Sequence, residues 1–171
     1  MWTVVKIVLA LGLITAGAWL SGCATGKGGI TLAPVGPAPA HFDTLPSGDG
    51  TLVVYSAYGV NADFNSRDPR RPEYSNYNIF TSGGRLLRRV HNDSGTILQD
   101  PVTVQLPAGN YRVQARANGY GYVIVPVVIR AQQNTIAHLE GGSPWPNESV
   151  FNETNAVRLP DGQIVGWRAT G

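Results

Sequence analysis

The stretch LPAGNYRVQARANGYGYVIVPVVIR, residues 106–130, decides the fold class. Tyr111, Val113, Ala115 and Ala117 alternate there with Arg112, Gln114, Arg116 and Asn118. Successive side chains of a strand point to opposite faces, so this period of two predicts a strand with one packed face and one wet face. The run from Tyr122 to Ile129 that follows is apolar on both faces, as a strand covered from both sides would be. Pro126 within it removes a ladder donor and predicts an edge position or a bulge. Just upstream, Val102, Val104 and Leu106 share one face while Thr103 and Gln105 share the other.

Working outward, the same pattern recurs. TLVVYSAYGV, residues 51–60, is rich in β-branched and aromatic side chains and predicts a strand entering a core. YNIFTSGGRLLRRVHND, residues 77–93, predicts a hairpin that turns at Ser82-Gly83-Gly84. TIAHL, residues 135–139, is a further short strand, and NAVRLPDGQIVGWRATG, residues 155–171, predicts a last hairpin around Leu159-Pro160-Asp161-Gly162 with Trp167 available to pack. No segment beyond residue 23 has helical periodicity. Strands at roughly ten-residue spacing with Gly and Pro between them point to an all-β sandwich.

Residues 101–139 also resemble the closing half of the prealbumin-like modules of carboxypeptidase regulatory-like and PEGA-type domains. The resemblance is carried by Leu106-Pro107-Ala108-Gly109-Asn110-Tyr111, by Gly119-Tyr120, and by the valine-rich strand and final strand after them. It implies a prealbumin-like (transthyretin/Ig-like) antiparallel β-sandwich, with GTLVVYSA from Gly50 as its opening strand. Pro107 and Gly109 would turn the chain sharply and Tyr111 would cap the core between two sheets. Such a sandwich hosts many unrelated tasks, so the resemblance names no reaction.

Composition agrees with this class. The chain has 171 residues, room for one ordinary domain, and its 21 Gly and 12 Pro suit many short strands joined by turns. Eleven Arg and two Lys face 11 acidic residues and are scattered along the chain, which leaves no footprint for nucleic acid.

The N-terminal segment gives an address. Lys6 is followed by IVLALGLITAGAWL, residues 7–20, a cation-then-apolar layout of secretory-signal length and short for a membrane span. Leu20-Ser21-Gly22-Cys23 then resembles the lipobox of bacterial lipoproteins. That resemblance implies cleavage between Gly22 and Cys23, a lipid on the only thiol of the chain, and a bacterial cell-envelope location. Ala24 in place of an aspartate favours the outer membrane under the family rule. The small side chains suit a peptidase site, and a thiolate suits alkyl transfer.

The chain thus divides into a cleaved helical signal peptide (1–22), a lipidated cysteine with a flexible, extended Pro/Gly-rich tether (23–49), the β-sandwich (50–140), and a C-terminal loop and hairpin packed on it (141–171). The tether rests on Pro34, Pro37, Pro39 and Pro46 among small residues.

Chemistry is sparse. His41, His91 and His138 lie in no metal-binding spacing, and neither a nucleophile elbow nor a phosphate loop is present. His91, Asp93 and Ser94 are too close in sequence to converge on an extended chain. No cofactor, metal or catalytic residue is expected. The polar loop NADFNSRDPRRPEYSNYNIF, residues 61–80, offers Phe64, Arg67, Arg70, Arg71, Tyr74 and Tyr77 as a ligand-recognition set. Aromatic platforms and Arg forks on a rigid β scaffold suit carboxylates or sugar hydroxyls; the same composition also describes a solvated loop. Arg85, Arg88 and Arg89 read as guards of a sheet edge or as a face for anionic lipid or polysaccharide. The function expected is a lipid-anchored, non-catalytic binding or scaffolding module for an envelope protein or glycan. The alternatives are an accessory subunit of an envelope peptidase or glycan hydrolase, and a structural component of a surface assembly.

Overall fold

A computed structural model describes residues 29–38, 48–60, 72–92, 100–141, 145 and 148–170. In chain order the strands are β1 (Val35–Gly36), β2 (Asp49–Tyr55), β3 (Tyr58–Val60), β4 (Pro72–Tyr74), β5 (Tyr77–Thr81), β6 (Leu86–Val90), β7 (Thr103–Pro107), β8 (Gly109–Ala117), β9 (Gly121–Ile129), β10 (Asn134–His138), β11 (Ala156–Arg158) and β12 (Ile164–Arg168). The one helical piece among the described residues is a single 3-10 turn, Glu148–Val150. The protein is all-β, as the alternation of residues 102–117 predicts.

The strands form a seven-stranded sheet in the order β11-β12-β1-β9-β8-β5-β6, a three-stranded sheet in the order β10-β2-β7, and a two-stranded ribbon β3-β4. Leu52, Val54, Val104 and Leu106 of the smaller sheet join Ile79, Val113, Ala115, Val123, Val125 and Val127 of the larger one in a single buried cluster. Each of the larger side chains contributes roughly 1.5–3 kcal/mol on burial. The long hairpin β8–β9 pairs nine residues deep, from Gly109↔Ile129 to Ala117↔Gly121. Its turn needs left-handed backbone at Gly119 (φ 78°) and Gly121 (φ 70°), which glycine adopts without steric cost.

Only Ala108 separates β7 from β8, so the chain passes from one sheet to the other in a step. Tyr111 packs partly buried against the core there, and its hydroxyl donates to the Pro107 carbonyl at 2.9 Å. A second polar tie sits beyond β6. The fully buried Asn92 amide donates to the Val54 carbonyl (2.8 Å) and to Ser56 Oγ (3.0 Å), and its oxygen accepts from Val102 N (3.1 Å). It joins the end of the larger sheet to both neighbours in the smaller one.

Three expectations are corrected. The sheets are mixed rather than wholly antiparallel: β1 runs parallel to β9, and β10 runs parallel to β2 over five residue pairs. Both parallel neighbours are far apart along the chain, so no tight turn dictates their direction.

The tether is also shorter than its composition suggests. Residues 29–38 are built into the larger sheet: Val35 is fully buried between Val127 of β9 and Arg168 of β12, and Leu32 joins the core. Proline tolerates this because its neighbours supply the hydrogen bonds, Leu32 N to Ile124 O, Ala38 N to Asn134 O and Ala169 N to Pro34 O. Pro126 of β9 faces the same segment. Ile124 N donates to Ile30 O at 2.8 Å, and Pro126, two residues on, has no such donor. The register slips there, with Thr31 opposite Ile124 but Val35 opposite Val127. The extra residue lies in the 31–35 segment, whereas β9 sits between β1 and β8 and pairs with β8 through Pro126 without a shift, so the edge or bulge expected of β9 itself is corrected.

The C-terminal hairpin extends the larger sheet, through β12 beside β1, and its Val157, Leu159 and Val165 join the common core. Gly166 sits where β12 passes the smaller sheet; a Cβ there would lie 2.8 Å from the Ile136 carbonyl oxygen and 2.9 Å from a Val35 methyl.

Candidate functional site

Of the residues singled out from sequence, Gly22, Cys23, Phe64, Arg67, Arg70 and Arg71 lie outside the described residues. The base of the polar loop is defined by the ribbon, in which Tyr58 pairs with Tyr74, Gly59 with Glu73 and Val60 with Pro72. Tyr74 stacks on Tyr58 with ring centroids 4.9 Å apart and planes 29° apart, and the two hydroxyls are 3.3 Å from each other. Tyr58 is 42% exposed. Tyr74 also meets Tyr55 edge-on at 5.6 Å. Its phenol is pushed well above the usual value, first by burial and then by the hydrogen bond to Tyr58.

Tyr77 does not belong to this set. It is the first residue of β5 and points inward with Ile79, 2% exposed. Its place is taken by Tyr58, which sequence reasoning assigned to the opening strand. The signal was present in the Ser56-Ala57 break: β2 ends at Tyr55 and β3 begins at Tyr58, so the chain changes sheet between them.

Behind the ribbon the rings continue. Tyr55 and His138, opposite one another on β2 and β10, stack at 4.1 Å with planes 6° apart. His138 then meets Trp145 at 4.1 Å, Trp145 meets Trp167 at 4.6 Å, and Phe151 stacks on Trp167 at 4.4 Å. The Trp145 indole donates to the Ile164 carbonyl at 3.1 Å. Inside this wall, His138 Nδ1 lies 2.6 Å from Oε1 of Glu140, whose side chain is 1% exposed. The other carboxylate oxygen, Oε2, has no hydrogen-bond partner among the described residues. Burial raises the Tyr55 phenol, with Asp100 and Glu140 adding negative potential. A carboxylate that orients an imidazole is a familiar half of an acid–base device. No described hydroxyl or thiol is bonded to the imidazole's other nitrogen. Among the described residues no group of three His, Cys, Asp or Glu is placed to hold a metal.

The opposite face of the molecule is open. On the outer side of β5, β6, β8 and β9, a groove of about 640 Å³ is lined by Asn76, Asn78, Phe80, Arg89, His91 and Tyr122, with Tyr77 and Val90 at its base. Arg112 and Arg116 project from β8 on the same side, opposite Pro126 and Tyr122. Arg88 and Arg89 lie along β6, the edge strand of the sheet, and Arg85 immediately precedes it. His91 is exposed, whereas Asp93 and Ser94 lie outside the described residues.

No family model matches the chain, and no curated protein or solved structure is significantly similar to it.

Proposed function

We propose that the protein is a lipid-anchored component of a bacterial cell envelope, held at a membrane through Cys23, whose prealbumin-like sandwich serves as a non-catalytic binding module for envelope glycan. The observation that carries the binding reading is the Tyr58–Tyr74 pair. Two stacked rings, one of them 42% exposed, stand on a ribbon at the root of the polar loop and are backed by Tyr55. A ring face offers the apolar side of a sugar a flat surface, while the two hydroxyls offer a donor and an acceptor at its rim. The lipobox resemblance at Leu20-Ser21-Gly22-Cys23 supports the envelope location.

The test is retention on isolated envelope polysaccharide. Tyr58→Ala, and Tyr58→Ala with Tyr74→Ala, should weaken retention about tenfold or more, as loss of a central aromatic contact does. The far-ultraviolet circular dichroism should stay that of the wild type. Undiminished retention by the folded double variant removes glycan recognition from this ribbon.

A further inference from the structure

We propose that the outer face of the β6-β5-β8-β9 block lies against an anionic lipid bilayer, so that the ring-covered face of the smaller sheet looks away from the membrane. The proposal rests on the reading that Cys23 carries the anchor. Three observations lead to it.

The first is where the chain enters the fold. Residues 24–28 alone separate Cys23 from Gly29. Fully extended, that connection reaches about 20 Å at most. Gly29 lies hard against β9, where an added Cβ would be 2.3 Å from the Tyr122 carbonyl oxygen. Tyr122 pairs with Arg116 of β8. A lipid on Cys23 therefore brings the bilayer to the Tyr122–Arg116 end of the open face. A spacer running to residue 49 would have left the orientation free.

The second is charge. Arg89, Arg112 and Arg116 are exposed on the outer face of this block, Arg89 opposite Asn78 and Arg112 opposite Phe80, while Arg85 and Arg88 are exposed at its edge, and β5, β6, β8 and β9 contain no Asp or Glu. No ion pair among the described residues engages any of these guanidiniums; the described pairs join His138 to Glu140 and Arg158 to Glu153. The three on the outer face, Arg89, Arg112 and Arg116, suit phosphate headgroups, which they meet with forked donors.

The third is the kind of apolar group among them. Tyr122 is 57% exposed, and Leu86 and Leu87 on the edge strand are 41% and 45% exposed. Tyrosine and leucine beside arginine are what the headgroup region accepts, with the ring or methyls at the acyl boundary and the guanidinium at the phosphates. A soluble polyanion would match the charge but has no use for Leu86 and Leu87.

The experiment uses the full chain, purified from membranes and reconstituted into vesicles of phosphatidylcholine, with or without phosphatidylglycerol. Acylated Cys23 has no free thiol, so a nitroxide can be placed singly at Tyr122→Cys, or at Val150→Cys on the ring-covered side. Accessibility to a water-soluble nickel complex is read against accessibility to oxygen. With phosphatidylglycerol the label at 122 should be shielded from nickel several-fold relative to that at 150, and added Arg112→Glu and Arg116→Glu should abolish the difference. Equal exposure at 122 and 150 overturns the orientation. Shielding at 122 that is the same without phosphatidylglycerol overturns the role of anionic headgroups. Shielding produced only by a soluble anionic polysaccharide assigns the face to glycan and overturns the membrane reading. Failure of the anchor is separately visible: a wild-type Cys23 that takes up no labelled fatty acid removes the anchor, and this orientation with it.

Discussion

On the outer face of the smaller sheet, Tyr55 and His138 are covered by Tyr74 and Trp145, and the imidazole is bonded to a carboxylate that is itself buried. On the outer face of the larger sheet, Arg112 and Arg116 stand in solvent beside an open groove. Both faces begin as the non-core side of an alternating strand. What separates them is which other segments of the chain return to cover them. The smaller sheet is roofed by the ribbon, by Trp145 and by the C-terminal rings, and its polar groups are largely engaged internally. On the larger sheet no described carboxylate engages Arg112 or Arg116. A face that the chain covers itself contributes to folding, and one left bare with charge and apolar groups together is available to a partner.

The comparison breaks most sharply at Trp145. It is 6% exposed, touches His138, Phe151 and Trp167, and donates to Ile164. Trp145→Ala should cost about 3–5 kcal/mol, the range for removing a large buried ring, read as a lower urea midpoint. It should also open His138 to diethylpyrocarbonate. A midpoint within error of the wild type would mean that the rings are a veneer and that the covered face is no more structural than the bare one.

Tyr77, beneath the groove on the bare side, gives a smaller effect of opposite sign. Its hydroxyl is buried and has no hydrogen-bond partner. Tyr77→Phe should therefore raise stability by about 1 kcal/mol, the low end of the cost of an unpaired buried hydroxyl. Burial pushes this phenol up, against a weaker opposing pull from Arg88, and the phenols of Tyr55 and Tyr74 are raised as well. The sign follows: a raised acid keeps its proton longer folded than unfolded. Stability should be unaffected by these groups below about pH 10 and should decline as pH rises above it. Tyr77→Phe should show a shallower alkaline decline than the wild type. A destabilised Tyr77→Phe would indicate that the hydroxyl is satisfied.

Much of this division was legible in the sequence, and the rest was not, for identifiable reasons. Val104 and Leu106, and Val113, Ala115 and Ala117, fall buried as their alternation predicts, because a strand's period is a local property. The Gly83-Gly84 hairpin is likewise local chemistry. Val35 could not be read as core: it sits among Pro, Gly and Ala, and its burial depends on β9 and β12, far along the chain. Tyr77 was misplaced because it is both the last ring of the polar loop and the first residue of the predicted hairpin, and only the packing of β5 decides that its ring points into the core. The ring wall had no spacing to detect, since Tyr55, His138, Trp145, Phe151 and Trp167 come from separate segments and meet only when β10 lies beside β2 and β12. The His138–Glu140 contact was likewise hidden, because both residues read as ordinary polar positions at the end of a strand.

The smallest effect should come from the bare face, and it is the most discriminating. Arg112→Ala and Arg116→Ala each remove an exposed guanidinium that no described carboxylate pairs with, from a strand whose other side carries the core. Each should shift stability by less than about 0.5 kcal/mol, as surface substitutions away from special features do. The guanidinium's methylene stem covers some of the sheet, so a small loss is allowed. The two positions share one face of the strand with Gln114 between them, and the double variant should be additive within the same margin, since two separated like charges share no contact to lose. A loss above about 1 kcal/mol at either position would mean that the arginine is built into the fold. In that case the open face would be a second structural face with an unrecognised roof, and its cations would no longer be free for a bilayer or any other anionic partner.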